Sequence, residues 1–384
     1  MTSTQIARRL RAWALELGFD RAGVACLKGA VGADSLRRWL ERGDHAEMAY
    51  MAERVALRAD PREVFDGATS AVCVALQYEP QVGAVTGDLW PGVARYARGR
   101  DYHNVMGKRL RKLARRIRVG FPGTETRHYV DTGPVLERDL AARAGLGVAG
   151  KNTMLLHPEA GSYFMLGEIL TSLELEPDEP LADLCGSCSL CLEACPTGAL
   201  SEPYRLDSRR CISYWTIEHR GAIPAEMRSA LGQWVFGCDV CQEACPHNDR
   251  LEVSPDPAFS LPASRQSLDL AALSALDEAA YQEVLRGSPM KRSRREGLRR
   301  NAALAMGNRG DLQYVPPLGR MLDDGDPVLR SHAAWALGRI GGAEAEALLL
   351  GRLGVEGEEE VSGELISALA WAEEGASELR AGSS

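Results

Sequence analysis

The sequence predicts a multidomain protein of mixed α+β and α/β class, in which three regions follow one another along the chain. Three observations predict it. Residues 1–180 alternate helical and strand-like apolar patterns, residues 181–260 hold eight of the ten cysteines, and residues 261–384 show helical patterns alone. A length of 384 residues suggests two or three domains and allows an ample buried core.

The first region is expected to fold as an α/β domain. Its helices are predicted at 4–17, 35–41, 104–118 and 135–144, and its strands at 21–27, 70–78, 126–130, 152–157 and 162–172. Pro134 lies in the first turn of the fourth helix, where its missing N–H costs nothing, and Gly145 ends that helix. Cys26 and Cys73 lie in apolar strands and are expected in the core.

The second region follows the cysteine spacing of bacterial ferredoxins, CxxCxxCxxxCP. The run extends from Cys185 to Cys195–Pro196, and a shortened copy spans Cys238–Pro246. The copy has Val235 where its first cysteine would stand, and Cys211 between the runs can supply that thiolate. In two-cluster ferredoxins the last cysteine of each run ligates the cluster of the other run.

This crossing divides the eight cysteines into two sets of four thiolates. One set is Cys185, Cys188, Cys191 and Cys245, and the other is Cys195, Cys211, Cys238 and Cys241. Zinc would have no reason to prefer this spacing over paired CxxC knuckles, and disulfides belong to small secreted chains. The spacing therefore predicts a ferredoxin-like domain at 181–260 with two [4Fe–4S] clusters, closed by the linker Ser254–Pro257.

The third region contains an internal repeat. Segments Ala302–Gly307 and Ala333–Gly338 match at a step of 31 residues, Leu318 and Leu349 obey the same step, and 365–368 is a weaker copy. Helix pairs of this period stack into a solenoid, because one pair cannot bury its apolar face alone. The pattern resembles HEAT repeats, which bind extended partners.

Charge is unevenly distributed along the chain. A net charge of −8 argues against indiscriminate binding of polyanions, yet segment 95–118 holds ten Arg and Lys and segment 291–300 holds six. Each run is either a solvated helix face or a phosphate-binding surface. The acidic run Glu356–Glu360 is expected to be a solvated loop.

No apolar run is long enough to span a membrane, and Glu16 and Asp20 interrupt what would be the apolar part of an export signal. These observations predict a cytoplasmic protein, and nothing in the sequence demands more than a monomer.

Two clusters form an electron path, which requires an acceptor. Because about 180 residues precede the cysteines, the sequence predicts a reductase domain that holds a further cofactor or substrate. Asp131 ends a strand and is either a turn residue that binds backbone amides or a general acid at the sheet edge. Asp101–His103 is either a helix start or a polar cluster that faces a pocket.

Seven segments resemble the epoxyqueuosine reductase family. In chain order they are 95–103, 130–138, 145–152, 202–204, 210–218, 237–242 and 298–301. The resemblance implies that two [4Fe–4S] clusters pass electrons to cobalamin, which reduces epoxyqueuosine to queuosine at the wobble position of tRNA. An external electron donor and the tRNA anticodon stem-loop are the partners that it implies.

The resemblance also implies residue roles. Asp131 matches the proton donor, and Asp101, Tyr102 and His103 match the substrate pocket. The cobalamin pocket is expected to include Arg58, Asp131, Lys151, Ser213, Asp239 and Val240. The expected tRNA contacts on the helical-repeat domain at 261–384 are Lys291, Arg292, Arg294, Arg295, Arg299 and Arg300. His103 is not assigned to cobalt, because Met106 stands where the cobalt-binding motif DxHxxG requires glycine.

Conversion of an epoxide to an alkene needs two electrons and a proton for the leaving alkoxide. A carboxylic acid that supplies this proton must be protonated beforehand, so a desolvated pocket is expected to raise the pKa of Asp131. The modified base must also leave the anticodon stack to react. Two other classes fit the cysteines: a reductive dehalogenase with the same cofactors, and an electron-transfer scaffold whose repeats dock a partner.

Overall fold

The computed structural model describes residues 1–27, 30–78, 86–249 and 256–381. The chain folds into two compact units. The first comprises residues 1–81, 99–209 and 239–260, and the second comprises residues 82–98, 210–238 and 261–384. The cysteine-rich region is thus shared between the two units, and the three-domain division stays a prediction. Ser254 and Pro255 of the predicted linker lie outside the described residues.

A four-stranded antiparallel sheet forms the centre of the first unit. The strands are β1 (Arg21–Cys26), β2 (Ser70–Gln77), β3 (Thr126–Tyr129), β4 (Val148–Ala149), β5 (Leu155–Leu156) and β6 (Phe164–Thr171). The sheet order is β1–β2–β6–β3, and β4 pairs with β5 separately. All described strand pairings in this sheet are antiparallel. Within the predicted mixed class, the first unit is therefore of the α+β type.

The helices of the two units are numbered together in chain order. The first unit contains α1 (Ser3–Glu16), α2 (Ala33–Glu41), α3 (Ala49–Ala52), α4 (Val55–Ala59), α5 (Tyr102–Gly120), α6 (Glu137–Arg143), α7 (Leu190–Glu193) and α10 (Val240–Glu243). The second contains α8 (Ile212–Ile217), α9 (Ala225–Arg228), α11 (Leu270–Ser274), α12 (Glu278–Val284), α13 (Arg294–Arg309), α14 (Val315–Met321), α15 (Pro327–Ile340), α16 (Ala343–Leu353) and α17 (Glu359–Ala381). Each helix and strand predicted for 1–180 is present, with shifted ends.

Helices α5 and α6 cover opposite faces of the sheet. Gly167 of β6 faces Leu110 and Met106 of α5, so this face is closed by apolar side chains. On the other face a Cβ at Gly23 of β1 would lie 2.0 Å from the carbonyl oxygen of Ala144, directly after α6. Only glycine allows the chain to pass so close to the strand.

The repeat of the second unit is built on close helix contacts. A Cβ at Gly307 of α13 would lie 2.8 Å from Cα of Ala336, and one at Gly338 of α15 would lie 2.7 Å from Cα of Ala368. Leu318 and Leu349, which share the repeat step, are both fully buried. The predicted repeat is therefore confirmed, and its glycines let α13, α15 and α17 pack closely.

The expectation of a solvated acidic loop is wrong at both ends of the run. The carboxylate of Glu356 is 1% exposed and binds Arg330 at 2.8 Å and Arg352 at 2.9 Å. Glu359 begins α17. Local charge density could not show this, because the two arginines come from α15 and α16.

Among the described residues, no helix has both the length and the apolar character needed to cross a membrane.

Candidate active site

Asp131 lies in a strained turn directly after β3. Its φ is +60°, and the N–H of Thr132 donates to the carbonyl of Val130 at 2.6 Å, so Asp131 is the central residue of a γ-turn. A Cβ at Gly133 would lie 2.6 Å from the ring of Tyr129, so only glycine lets the chain fold back over that ring. Backbone strain of this kind is often found at functional residues.

Four side chains meet at this turn, three from the start of α5 and that of Asp131 itself. Asp101 caps α5 by accepting the N–H of His103 at 3.0 Å, and its Oδ1 lies 2.8 Å from Nδ1 of the same residue. Oδ2 of Asp131 lies 3.1 Å from Nε2 of His103 and accepts the hydroxyl of Tyr102 at 3.0 Å. The rings of Tyr102 and His103 stack at 4.1 Å. Asp101–His103 is therefore both a helix start and a polar cluster.

The two carboxylates decide the charge of His103. Burial alone would lower the pKa of the imidazole, but hydrogen bonds and the negative charges of Asp101 and Asp131 outweigh burial and raise the pKa to about 9. His103 is therefore an imidazolium at neutral pH.

Two further carboxyl groups lie behind Asp131, and sequence reasoning missed both. Oε2 of Glu137 accepts the backbone N–H of Asp131 at 3.1 Å, and burial together with the charge of Asp131 raises the pKa of Glu137 to about 7. Glu168 is buried in β6, and burial raises its pKa well above the ordinary value. Its Oε1 has no hydrogen-bond partner among the described residues. A glutamate within the apolar strand 164–171 was the signal that could have identified it.

The expected desolvation of Asp131 is not provided by the residues around it. The side chain of Asp131 is 52% exposed. The turn presents this carboxyl group outward, whereas burial raises the pKa of Glu137 and of Glu168.

The cysteines of the first predicted set come together within the first unit. Burial raises the pKa of the Cys191 thiol, and the charges of Cys185, Cys245 and Cys188 raise it further. The pKa of the Cys245 thiol is likewise raised, by burial first and then by Cys185 and Cys188. Sequence-distant Cys245 thus lies near the first run, as the crossed ligation requires.

Cys195, of the second set, has the environment of a thiolate. Burial alone would raise the pKa of its thiol, but bonds from the Thr197 hydroxyl, 3.5 Å away, and from nearby backbone N–H groups outweigh burial and lower it. Among the described residues, no group of three His, Cys, Asp or Glu could hold a single metal ion. A [4Fe–4S] cluster differs from a single metal ion, because each of its four irons binds one of the four thiolates.

Lys151 and Asn152 lie against the cysteine loops. Nζ of Lys151 donates to the carbonyls of Gly186 at 2.6 Å and Cys188 at 2.8 Å, and Nδ2 of Asn152 donates to that of Cys241 at 3.1 Å. The resemblance assigned Lys151 to cobalamin, and its contacts connect it to the loop of the first cysteine run.

The other residues assigned to cobalamin lie on different elements of the chain. Arg58 in α4 donates to the carbonyl of Glu53 at 2.6 Å, and no described contact links it to Asp131. Asp239 is buried and directly precedes Val240, the first residue of α10. Ser213 lies in α8 of the second unit.

Two of the six arginines and lysines expected to bind tRNA at 291–300 are structural. Arg300 is 1% exposed and donates to the carbonyls of Trp215 at 2.8 Å and Gly221 at 2.6 Å, so the prediction that it contacts phosphate is wrong. Arg299 is largely buried and binds Asp324 at 2.6 Å. The remaining four, Lys291, Arg292, Arg294 and Arg295, are at least partly exposed.

Helix α5 carries an exposed basic face. Its members are Lys108, Arg111, Lys112, Arg115 and Arg118. Two neighbouring arginines are engaged elsewhere: Arg109 binds Asp256, and Arg116 lies 4.7 Å from the ring centroid of Trp13. The basic run therefore divides into a structural side and an outward side.

Three family profiles match the chain. They are described as "Epoxyqueuosine reductase QueG, DUF1730" at 58–132, "4Fe-4S double cluster binding domain" at 184–248 and "HEAT repeats" at 290–370. A bacterial ferredoxin-like segment and C-terminal HEAT repeats are thus confirmed.

Similar proteins extend over nearly the whole chain. Epoxyqueuosine reductase of Alicycliphilus denitrificans is 40% identical over 87% of this chain and 98% of its own length, and that of Escherichia coli is 38% identical over 87% and 89%. A crystal structure of an epoxyqueuosine reductase with an epoxyqueuosine-modified tRNA stem loop has a TM-score of 0.88 at 31% identity, covering 97% of this chain and 100% of the other. A Bacillus subtilis structure whose catalytic aspartate loop is swung out of the active site has a TM-score of 0.88 at 30% identity, covering 96% and 100%. This chain belongs to the epoxyqueuosine reductase family.

Proposed function

We propose that this protein reduces epoxyqueuosine in tRNA to queuosine by removing the epoxide oxygen. The observation that carries the proposal is the group around Asp131, in which a carboxyl group that can transfer a proton touches a protonated imidazole and a phenol. Family membership supplies the substrate class, and the gathered cysteines supply the electron path. An external donor provides the electrons, and the location is cytoplasmic.

The ligands of the two [4Fe–4S] clusters are two sets of four thiolates. The sets are Cys185, Cys188, Cys191 and Cys245, and Cys195, Cys211, Cys238 and Cys241. The mutual approach of the first four thiols supports this division.

The corrinoid contacts of the proposal are Arg58, Asp131, Lys151, Ser213, Asp239 and Val240. The donor set fits a corrinoid, because arginine, lysine and serine side chains can bind its peripheral amides while Asp131 stays exposed. When bound, the clusters and cobalamin supply the two electrons of the reaction. Asp131 supplies a proton to the epoxide oxygen, while Asp101, Tyr102 and His103 orient Asp131 and the modified base.

The tRNA-binding part of the proposal rests on exposed basic residues. On α5 these are Lys108, Arg111, Lys112, Arg115 and Arg118, and on the repeat they are Lys291, Arg292, Arg294 and Arg295. Phosphate contacts release counterions, so the affinity for tRNA should fall steeply with salt. Replacement of Lys112 and Arg115 by Gln should reduce the salt slope by about two, or one per contact. An unchanged slope in filter binding would remove α5 from the interface.

The test of the activity is anaerobic incubation of the protein with cobalamin, a reductant and tRNA that carries epoxyqueuosine. Nucleoside mass analysis should show queuosine, sixteen mass units lighter by the loss of one oxygen, in proportion to enzyme. Halogenated organic compounds serve as the second substrate class. Dehalogenation without queuosine formation would favour the dehalogenase alternative, and absence of bound corrinoid after reconstitution would favour an electron-transfer scaffold.

A further inference from the structure

The reaction needs one more proton than Asp131 can hold. Removal of an epoxide oxygen breaks two C–O bonds, and the oxygen leaves as water, so each turnover consumes two electrons and two protons. One carboxyl group carries one proton at a time. This inference rests on the proposed function and concerns where the second proton is stored.

His103 is placed to hold it. Its Nδ1 lies 2.8 Å from Oδ1 of Asp101, and its Nε2 lies 3.1 Å from Oδ2 of Asp131. A neutral imidazole has one N–H and can donate to only one of these carboxylates, whereas an imidazolium donates to both. Once Asp131 has given up its own proton, both neighbours of the ring are carboxylates, and both contacts are then satisfied only when the ring carries the additional proton.

The groups that face the ring favour the same state. Asp101 comes from the loop before α5 and Asp131 from the loop after β3. Tyr102 stacks on the ring, and Glu137 at the start of α6 lies within electrostatic reach. All of the ionised groups named here that face the ring are negative.

We propose that His103, held by Asp101, stores the second proton and passes it from Nε2 to Oδ2 of Asp131 within one turnover. Asp131 first gives its own proton to the epoxide oxygen as one C–O bond breaks, which leaves a hydroxyl group and a carboxylate; the two electrons that end in the C=C bond come from the bound low-potential cofactors of the proposed function. The Nε2–H bond then breaks, an O–H bond forms on Asp131, and the imidazole becomes neutral with its remaining proton towards Asp101. Asp131 protonates the hydroxyl as the second C–O bond breaks, and water and the alkene result.

The buried pair is less suited to this role. Glu137 accepts the backbone N–H of Asp131 on its Oε2 at 3.1 Å, so that oxygen is engaged by the main chain. Glu168 has no hydrogen bond on Oε1 among the described residues. The half-exposed cluster can recover both protons from solvent after product leaves.

The first test measures kcat and KM of the holoenzyme against pH. The wild type should lose kcat as pH rises through about 9, where His103 deprotonates. Asp101→Asn keeps a side chain that can cap α5 but removes a charge, so the alkaline limb should move down by about one to three pH units. His103→Gln should lower kcat by about 100-fold and abolish that limb.

If the role of His103 is only structural, kcat will fall in His103→Gln, but the alkaline limb of the pH profile will not move in Asp101→Asn. That result would overturn the proposal. Movement of the limb in Glu137→Gln but not in Asp101→Asn would assign the second proton to Glu137 instead. Failure of the wild type to form queuosine at any pH would reject the proposed function itself, which is a different outcome.

The second test does not depend on turnover. NMR titration of the holoenzyme with ¹⁵N-labelled histidine should give one ring with a pKa near 9, lost in His103→Gln and lowered in Asp101→Asn. His128→Gln is the matched control, because His128 lies on β3 and its pKa is lowered by burial and by Arg111 and Arg118. A wild-type His103 that titrates near 6.5 would contradict the proposal, whatever the activity.

Discussion

The group around Asp131 and the group around Glu356 are both charged clusters, yet they are opposite in design. Around Asp131, carboxyl groups outnumber the single imidazolium of His103. The side chain of Asp131 is half exposed, and its backbone is strained. At the second, one buried carboxylate lies between Arg330 and Arg352, and these bonds lower the pKa of Glu356 to about 2. A partly exposed cluster with an excess of carboxyl groups is suited to proton transfer. A buried carboxylate whose charge is balanced by arginines is suited to stabilising the fold.

The largest effect is expected at the first cluster. Asp131→Asn removes the proposed proton donor and keeps the shape of the side chain, so turnover should fall by about 100- to 10,000-fold. Anaerobic single-turnover assays with nucleoside mass analysis measure it, with iron and corrinoid contents as controls. Thermal stability should not fall, because the change removes a negative charge beside Glu137. A variant as fast as the wild type would show that another group donates the proton.

At the second cluster the loss should be in stability. Glu356→Gln leaves two arginines facing a neutral group, so the free energy of unfolding should fall by about 3 kcal/mol in urea titrations. Glu360→Gln, an exposed change in the first turn of α17, is the control and should change it little. Because the pKa of Glu356 is lowered, its contribution is present above about pH 4.5 and is lost as pH falls towards 2. Equal stability of the two variants would remove the contrast between the clusters.

A smaller loss is expected where the repeat depends on close packing. Gly338→Ala places a Cβ 2.7 Å from the Cα of Ala368, so the free energy of unfolding should fall by about 1 to 3 kcal/mol. The matched control is Gly351→Ala in α16, where a Cβ meets nothing within 4 Å and helix propensity favours alanine. A Gly338→Ala variant as stable as the control would show that α15 and α17 can separate without cost.

The last expected effect concerns the pH dependence of the first unit. The pKa of Glu137 is raised to about 7, so the folded state keeps a proton that the unfolded chain loses above about pH 4.5. Stability should therefore fall between pH 4.5 and 7, and Glu137→Gln should flatten that part of the profile. Melting temperatures of both proteins across this range test it. Parallel profiles would mean that Glu137 titrates normally.

Sequence patterns predicted much of the fold because those patterns are local. The 3.6-residue period placed α1 and α5, and the repeat step identified Leu318 and Leu349 as core residues. The same local logic failed for charged residues. Arg300 and Glu356 stand in charged runs typical of a surface, and both are buried by partners distant in sequence.

The sequence by itself determined the cysteine spacing, the order of helices and strands and the helical repeat, and it singled out Asp131 as a candidate. Tertiary structure alone decided that Asp131 touches both Tyr102 and His103, that Glu137 and Glu168 lie behind it, and that Cys245 approaches the first cysteine run. The physical reason is that periodicity and turn chemistry act over a few residues. Burial and the charge of a neighbour, which set the protonation of each group, depend on chain segments far apart in sequence.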